Sequence, residues 1–255
     1  MEVISPEIIS IKISKFKNNY LVYIFKRIIL KVKFLILQKI YKKNSDTRKL
    51  NFDWKSKNFN RIALVNLLLK NYEDPEYLEI GCASNSLFNS IPIFKKVGVD
   101  PSSGGNVRKT SDDFFKGNKK NFDVIFIDGL HTYKQVRKDI INSINNIRGK
   151  GWIVLHDMIP RDWIEQHVPL LTNGDWTGDV WKVAFEIIKT EGLDFRMVSI
   201  DHGVGLIKVN NKKAILRDFG NELKDKQFNY YLDNFKKLPI LEWNEALDWI
   251  NKQQS

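Results

Sequence analysis

Residues 121–160 constrain the chain most, because they read as two buried strands of a parallel sheet joined by a helix, with an acidic residue closing each strand. Val124, Ile125, Phe126 and Ile127 form a short β-branched and aromatic run ended by Asp128. Trp152, Ile153, Val154 and Leu155 form another, ended by His156 and Asp157. Between them Val136, Ile140, Ile144 and Ile147 recur at helical spacing over residues 131–147, as a crossover on one face of the sheet requires. In open α/β sheets ligands collect outside the carboxyl ends of the strands. Asp128, His131, His156 and Asp157 are therefore expected to converge on one crevice.

An earlier βα unit supplies the other half of that crevice. Residues 77–80 read as a strand, 81–86 as a turn of small residues, and 96–99 as a second strand ended by Asp100. Asp100 stands 19 positions after Gly81, a spacing that suits a carboxylate gripping ribose hydroxyls. Ala83 and Ser86 occupy places where a dinucleotide-binding loop needs glycine to let a pyrophosphate approach. A ligand without phosphates asks less of the loop, which moves the expectation from a nicotinamide cofactor to an adenosyl sulfonium.

The segments ExGxxS at 79–84, GVD at 98–100, TSDDFF at 110–115, FDVIFIDGLH at 122–131 and GWIVLHD at 151–157 follow one another in this order. Over residues 72–209 the chain resembles the class I S-adenosylmethionine-dependent methyltransferases. Through DGLHTY at 128–133 it is most similar to the small O-methyltransferase-like proteins associated with bacterial glycan or secondary-metabolite pathways. The resemblance implies a Rossmann-like α/β fold: a seven-stranded, mostly parallel sheet with helices on both faces and an antiparallel closing hairpin. Residues 195–200 and 204–209, joined by Asp201, His202 and Gly203, read as that hairpin. By the resemblance, Glu79, Gly81 and the backbone of Cys82, Ala83 and Ser84 hold the methionine end of S-adenosylmethionine, and Asp100 holds the ribose. Ser111, Asp112 and Asp113 flank the adenine, and Asp128 borders both cofactor and acceptor.

Two carboxylates at the ends of neighbouring strands suit a magnesium ion that keeps waters and takes up a substrate oxygen. Such an ion lowers the pKa of a hydroxyl placed for in-line attack on the sulfonium methyl. In the metal-dependent O-methyltransferases that this crevice resembles, the ligands are the acid after strand four and an acidic or Asp-Asn pair after strand five. Asp128 and Asp157 match those positions. His156 and Met158 flank Asp157 in place of a second acid or amide, so His156 is a further candidate donor. A histidine suits zinc, iron or manganese better than magnesium. Plainer readings stand beside these: Asp128 and Asp157 as caps or turn residues, His131 and His156 as structural histidines, Cys82 as small filler of its loop.

After the strand ended by His156 and Asp157, Asp175, Trp176, Asp179 and Trp181 lie where a lid would hang over the crevice. Trp176 reads either as a sugar or aromatic platform or as packing. Trp181 opens the apolar face continued by Phe185 and Ile188 and is expected to pack. Asp175 and Asp179 read either as groups that orient a polyol or as solvated turn residues.

The charge of +11 is concentrated. Residues 12–49 hold twelve Lys or Arg and one acid, Asp46, so they carry all of it. Within them Leu21, Phe25, Ile28, Ile29, Val32, Ile36 and Ile40 form a helical stripe, with Arg27, Lys31, Gln38 and Lys42 elsewhere on the wheel. No apolar run there approaches the roughly 20 residues of a membrane span. Peripheral contact with an anionic membrane and docking on protein, including a homo-oligomeric partner, are both open; nucleic acid is disfavoured because no reader motif accompanies the basic patch. The expected organisation is a basic extension over 1–50, a methyltransferase domain over 51–210 and a helical extension packed on the core over 211–255. A lone cysteine fits a reducing cytoplasm. The function expected is O-methylation, by S-adenosylmethionine, of a sugar hydroxyl in a glycan or glycosylated metabolite. A catalytically silent scaffold in polysaccharide assembly, or an RNA methyltransferase using its basic arm, are the alternatives.

Overall fold

The computed structural model describes residues 6–254, with side chains described for 22–253. Its strands are β1 (Tyr77–Ile80), β2 (Lys96–Val99), β3 (Phe122–Ile127), β4 (Ile147–Leu155), β5 (Leu193–Val198), β6 (Val204–Val209) and β7 (Ile240–Leu241). They form one sheet in the order β2-β1-β3-β4-β6-β5-β7. β1 to β4 are mutually parallel, and β6 runs antiparallel to both β4 and β5. The seven-stranded Rossmann-like sheet with its closing hairpin is thus present as expected. The hairpin's first strand begins at Leu193, two residues earlier than the sequence pattern suggests, and the edge strand β7 left no pattern because it spans two residues.

The helices are α1 (Pro6–Ile40), α2 (Arg61–Leu69), α3 (Ser86–Asn89), α4 (Ser111–Gly117), α5 (Tyr133–Asn146), α6 (Lys182–Ile187), α7 (Gly220–Leu223), α8 (Phe228–Asn234) and α9 (Trp243–Gln254). Three of the helices around the site start on capping side chains. Asn60 accepts from the backbone of Ile62 and Ala63, Thr110 from Asp113, and Thr132 from Gln135. β3 is buried along its whole length, which is why its sequence, Asp123 apart, is apolar without alternation. Leu78, Ile125 and Ile153 face a core shared with α5, α6 and α8, while Tyr77, Val124 and Trp152 face one shared with α2 and α9.

Trp181 packs, as expected: it is fully buried against Phe185 and Tyr231, and its Nε1 donates to Gln166 Oε1. The segment after residue 210 does more than cover the core, since it also supplies β7 to the sheet. The N-terminal helix docks by the side away from its apolar stripe. Phe34 is its buried apolar residue among those described, and Gln38 Nε2 donates to Leu171 O at 2.9 Å. Leu21, the first member of the stripe, lies outside the described side chains.

On the buried face of α5, Asp139 Oδ2 and Ser143 Oγ have no hydrogen-bond partner. Burial pushes the Asp139 carboxyl up to about 6, against hydrogen bonds from Ser111 and Gln135. An acid whose folded pKa is raised favours folding below its unfolded value of about 3.9 and costs stability as pH rises through the folded value. Asp139→Asn is therefore expected to stabilise the protein at neutral pH, by at most about 3 kcal/mol, and to change little near pH 4. Thermal unfolding at the two pH values checks this. An equal effect at both would remove the ionisation from the explanation.

Candidate active site

Asp128 closes β3, its backbone N–H bonded to Ile80 O at 2.8 Å, and His156 closes β4 with its N–H on Ile127 O at 3.1 Å. The parallel register of β3 with β4 pairs Ile127 with Leu155, so the two strand ends arrive side by side. Asp157 takes a left-handed conformation, φ 60°, which turns the chain at the strand end. His131 comes from the loop before α5, whose first N–H is capped by Asp179 Oδ1 at 2.7 Å.

His131 bridges the two acids, with Nε2 3.3 Å from Asp128 Oδ1 and Nδ1 3.0 Å from Asp157 Oδ2. His156 sits on their other side, Nδ1 3.2 Å from Asp128 Oδ1 and 3.3 Å from Asp157 Oδ1. Burial opposes charge on either imidazole, but Asp128 and Asp157 outweigh it and raise both above the usual histidine range. Burial would likewise raise Asp128, yet the two histidines hold its carboxyl well below the usual range. Behind His156, Arg61 donates to Asp201 Oδ2 at 2.9 Å, and Asp201 Oδ1 lies 3.7 Å from His156 Nε2. Arg61 and Asp201 carry no mark in the sequence. Asp201 reads there only as a hairpin turn residue, and Arg61 is not singled out at all.

Ligand atoms of Asp128, His131 and Asp157 all lie within 4.8 Å of one another. Two carboxylates and an imidazole are a fitting set for a divalent cation that retains water and one substrate oxygen. The histidine in this set is His131; the Nε2 of His156 faces Arg61 and Asp201 instead. Both neighbours of His131 Nδ1, Asp157 Oδ2 and Trp176 O at 3.1 Å, are acceptors, so Nδ1 carries the hydrogen and Nε2 is the nitrogen left to bind. Trp176 stacks on the His131 ring, centroids 5.1 Å apart, and its Nε1 is tied to His167 O.

These groups open onto a cavity of about 690 Å³ that also meets Gly81, Ala83, Asp100, Ser102, Thr110, Ser111, Asp112, Leu130 and Gln135. Of the residues singled out in the sequence, Glu79, Cys82, Ser84 and Asp113 do not line it. Glu79 points to the α2 side of the sheet and accepts from Tyr77 Oη at 2.7 Å, its carboxyl pushed up to about 7 by burial. Cys82 is buried beneath the loop, and its thiol is raised by that burial. Asp113 completes the cap of α4 by accepting from Thr110 Oγ1 at 2.8 Å. Asp100 lines the cavity, but its carboxylate already accepts from the backbone of Cys82, Ala83, Ser102 and Ser103. Burial opposes that charge, and the four N–H groups overcome it and hold the acid at about 2. It ties the loop after β1 to the loop after β2, a demand that its spacing from Gly81 does not reveal. Asp175 and Asp179 are likewise engaged, with Arg161 and Lys182 respectively.

Residues 94–158, from the approach to β2 through the turn after β4, match a family model described as a methyltransferase domain. The matched stretch includes Asp100, Ser111, Asp112, Asp128, His131 and Asp157. No curated protein matches the chain. Among solved structures, a candidate O-methyltransferase from Klebsiella pneumoniae is 13% identical, with 63% of this chain and 84% of that one covered and a TM-score of 0.47. An O-methyltransferase from Bacillus cereus, in complex with SAH, is 12% identical over 68% and 88%, with a TM-score of 0.46. The O-methyltransferase TomG from Streptomyces achromogenes, in complex with SAM, is 14% identical over 59% and 80%, with a TM-score of 0.43. At these values the likenesses carry no argument about substrate.

Proposed function

We propose that the protein transfers the methyl group of S-adenosylmethionine to an oxygen, most specifically to a sugar hydroxyl of a glycan or glycosylated metabolite. The observation that carries the reading is the meeting of Asp128, His131 and Asp157 at the mouth of the cavity lined by Gly81, Asp100, Ser111 and Asp112. The sulfonium cofactor supplies an electrophilic methyl group, and a divalent cation at Asp128, His131 and Asp157 supplies Lewis acidity that makes a hydroxyl more acidic.

The chain's own groups do the rest. Gly81 lets the backbone after β1 run close to that after β3, so the cofactor-facing loop borders the acids directly. Asp157 and Trp176 O hold His131 by Nδ1, which leaves Nε2, on the Asp128 side, as the nitrogen that would join the cation. Trp176, half-buried and stacked by one face on that imidazole, lies outside the cavity lining and is an aromatic of the type that pyranose rings stack on. Cys82, free and buried, suits a reducing compartment such as the cytoplasm.

Calorimetric titration of the full chain with S-adenosylmethionine and with NAD, each with and without magnesium, tests the reading. Binding of the sulfonium alone is expected. Binding of NAD alone, or of neither, would overturn it, and the second result would leave a silent scaffold of methyltransferase fold. A panel of saccharides with methyl-tritiated cofactor then tests the acceptor.

A further inference from the structure

Among the described residues, the body of the protein holds α1 by a single side. Phe34 is buried there, Gln38 bonds to Leu171 O, and Tyr41, just past the helix, packs its ring on His167. Val32 and Ile36 are two residues either side of Phe34, about 200° round a helix of 100° per residue, and so lie on its far side. They belong to the stripe, and the whole described stripe is exposed: Phe25 65%, Ile28 53%, Ile29 52%, Val32 48%, Ile36 55% and Ile40 63%. An apolar strip of this length facing water, with Lys39 inside its arc near the C-terminal end, marks an interaction surface.

Charge indicates what covers it. Lys26 and Lys33 fall beyond one margin of the stripe and Lys31 beyond the other, all exposed, so long cationic side chains border the apolar face. Residues 12–49 together carry the +11 of the entire chain. Pairing two copies through this face would bring two such segments together, whereas an anionic surface would neutralise them. No helix of the described residues is long and apolar enough to cross a membrane. We propose that α1 lies along an anionic lipid surface, its apolar stripe in the headgroup region, its lysines on lipid phosphates, and the rest of the protein carried on its Phe34 side.

Cosedimentation of the full chain with vesicles tests this. Binding is expected to vesicles of equal parts phosphatidylcholine and phosphatidylglycerol and not to phosphatidylcholine alone, and to fall with salt. The double variant Val32→Glu/Ile36→Glu, altered only at exposed positions, is expected to keep the parent melting temperature and to partition at least about tenfold less. Absence of binding to the anionic vesicles, or undiminished binding by the variant, would overturn the proposal. So would a parent dimer by light scattering that the variant breaks, which would assign the stripe to a second copy.

Discussion

Asp157→Asn is expected to lower methyl transfer by about two to four orders of magnitude while the fold and cofactor affinity stay close to those of the parent. Asparagine is the right replacement because residue 157 has φ 60°, a conformation that Asn adopts more readily than most non-glycine residues. The shape is retained and the charge is lost. Both carboxylate oxygens face imidazoles, Oδ2 toward His131 and Oδ1 toward His156, so the amide removes the charge that orients His131 and that a cation would need. Initial rates with methyl-tritiated cofactor measure the effect, and circular dichroism and calorimetry with S-adenosylmethionine control for fold and binding. A variant with the parent rate would remove Asp157 from the chemistry. Chelation by EDTA is expected to reproduce the loss in the parent, and a parent rate unaffected by EDTA would remove the metal from the chemistry.

Gly81→Ala should be the most damaging single methyl in the loop after β1. Gly81 has φ 84°, and a Cβ built on it would stand 2.1 Å from Asp128 O and 2.5 Å from Asp128 C. These are backbone atoms, so the end of β1 or the end of β3 must move. Left-handed strain of about 1–2 kcal/mol and overpacking of about 1–3 kcal/mol together predict a loss of roughly 2–5 kcal/mol. At about 2–4 °C per kcal/mol for a chain of this size, the melting temperature should fall by roughly 10 °C. Because the residue displaced is Asp128, S-adenosylmethionine affinity should fall with it. A variant that melts and titrates like the parent would show that the close approach of these two loops is not needed.

Much of the fold was legible because its signals are local. Residues 124–127 and 152–155, which lead into Asp128 and His156, are apolar throughout, as strand segments buried on both faces are, and the spacing of Val136, Ile140 and Ile144 matches the buried face of α5. That these strand ends would be neighbours follows from the right-handed crossover that a short βαβ unit enforces. The stripe of α1 is equally local, a matter of every third and fourth residue.

The remainder depended on groups that meet only after folding. Arg61 and Asp201 are 140 positions apart in sequence, and their ion pair behind His156 exists because α2 and the β5–β6 turn both reach the end of β4. The roles of the two histidines were undecidable in sequence, since His131 sits in a loop aimed by Asp179 and Trp176, while His156 is committed to Arg61 and Asp201. The spacing of Asp100 announced a ligand-facing acid, and the carboxylate is saturated by four backbone N–H groups from two loops. The side on which α1 docks was equally hidden, because it is decided by Phe34 and Gln38 meeting the segment around Leu171. Sequence by itself determined the strands, the crossover and the acids at the strand ends, since periodicity and burial act between near neighbours. Tertiary structure alone decided which imidazole joins those acids and which helix face stays bare, because both follow from contacts between residues far apart in the chain.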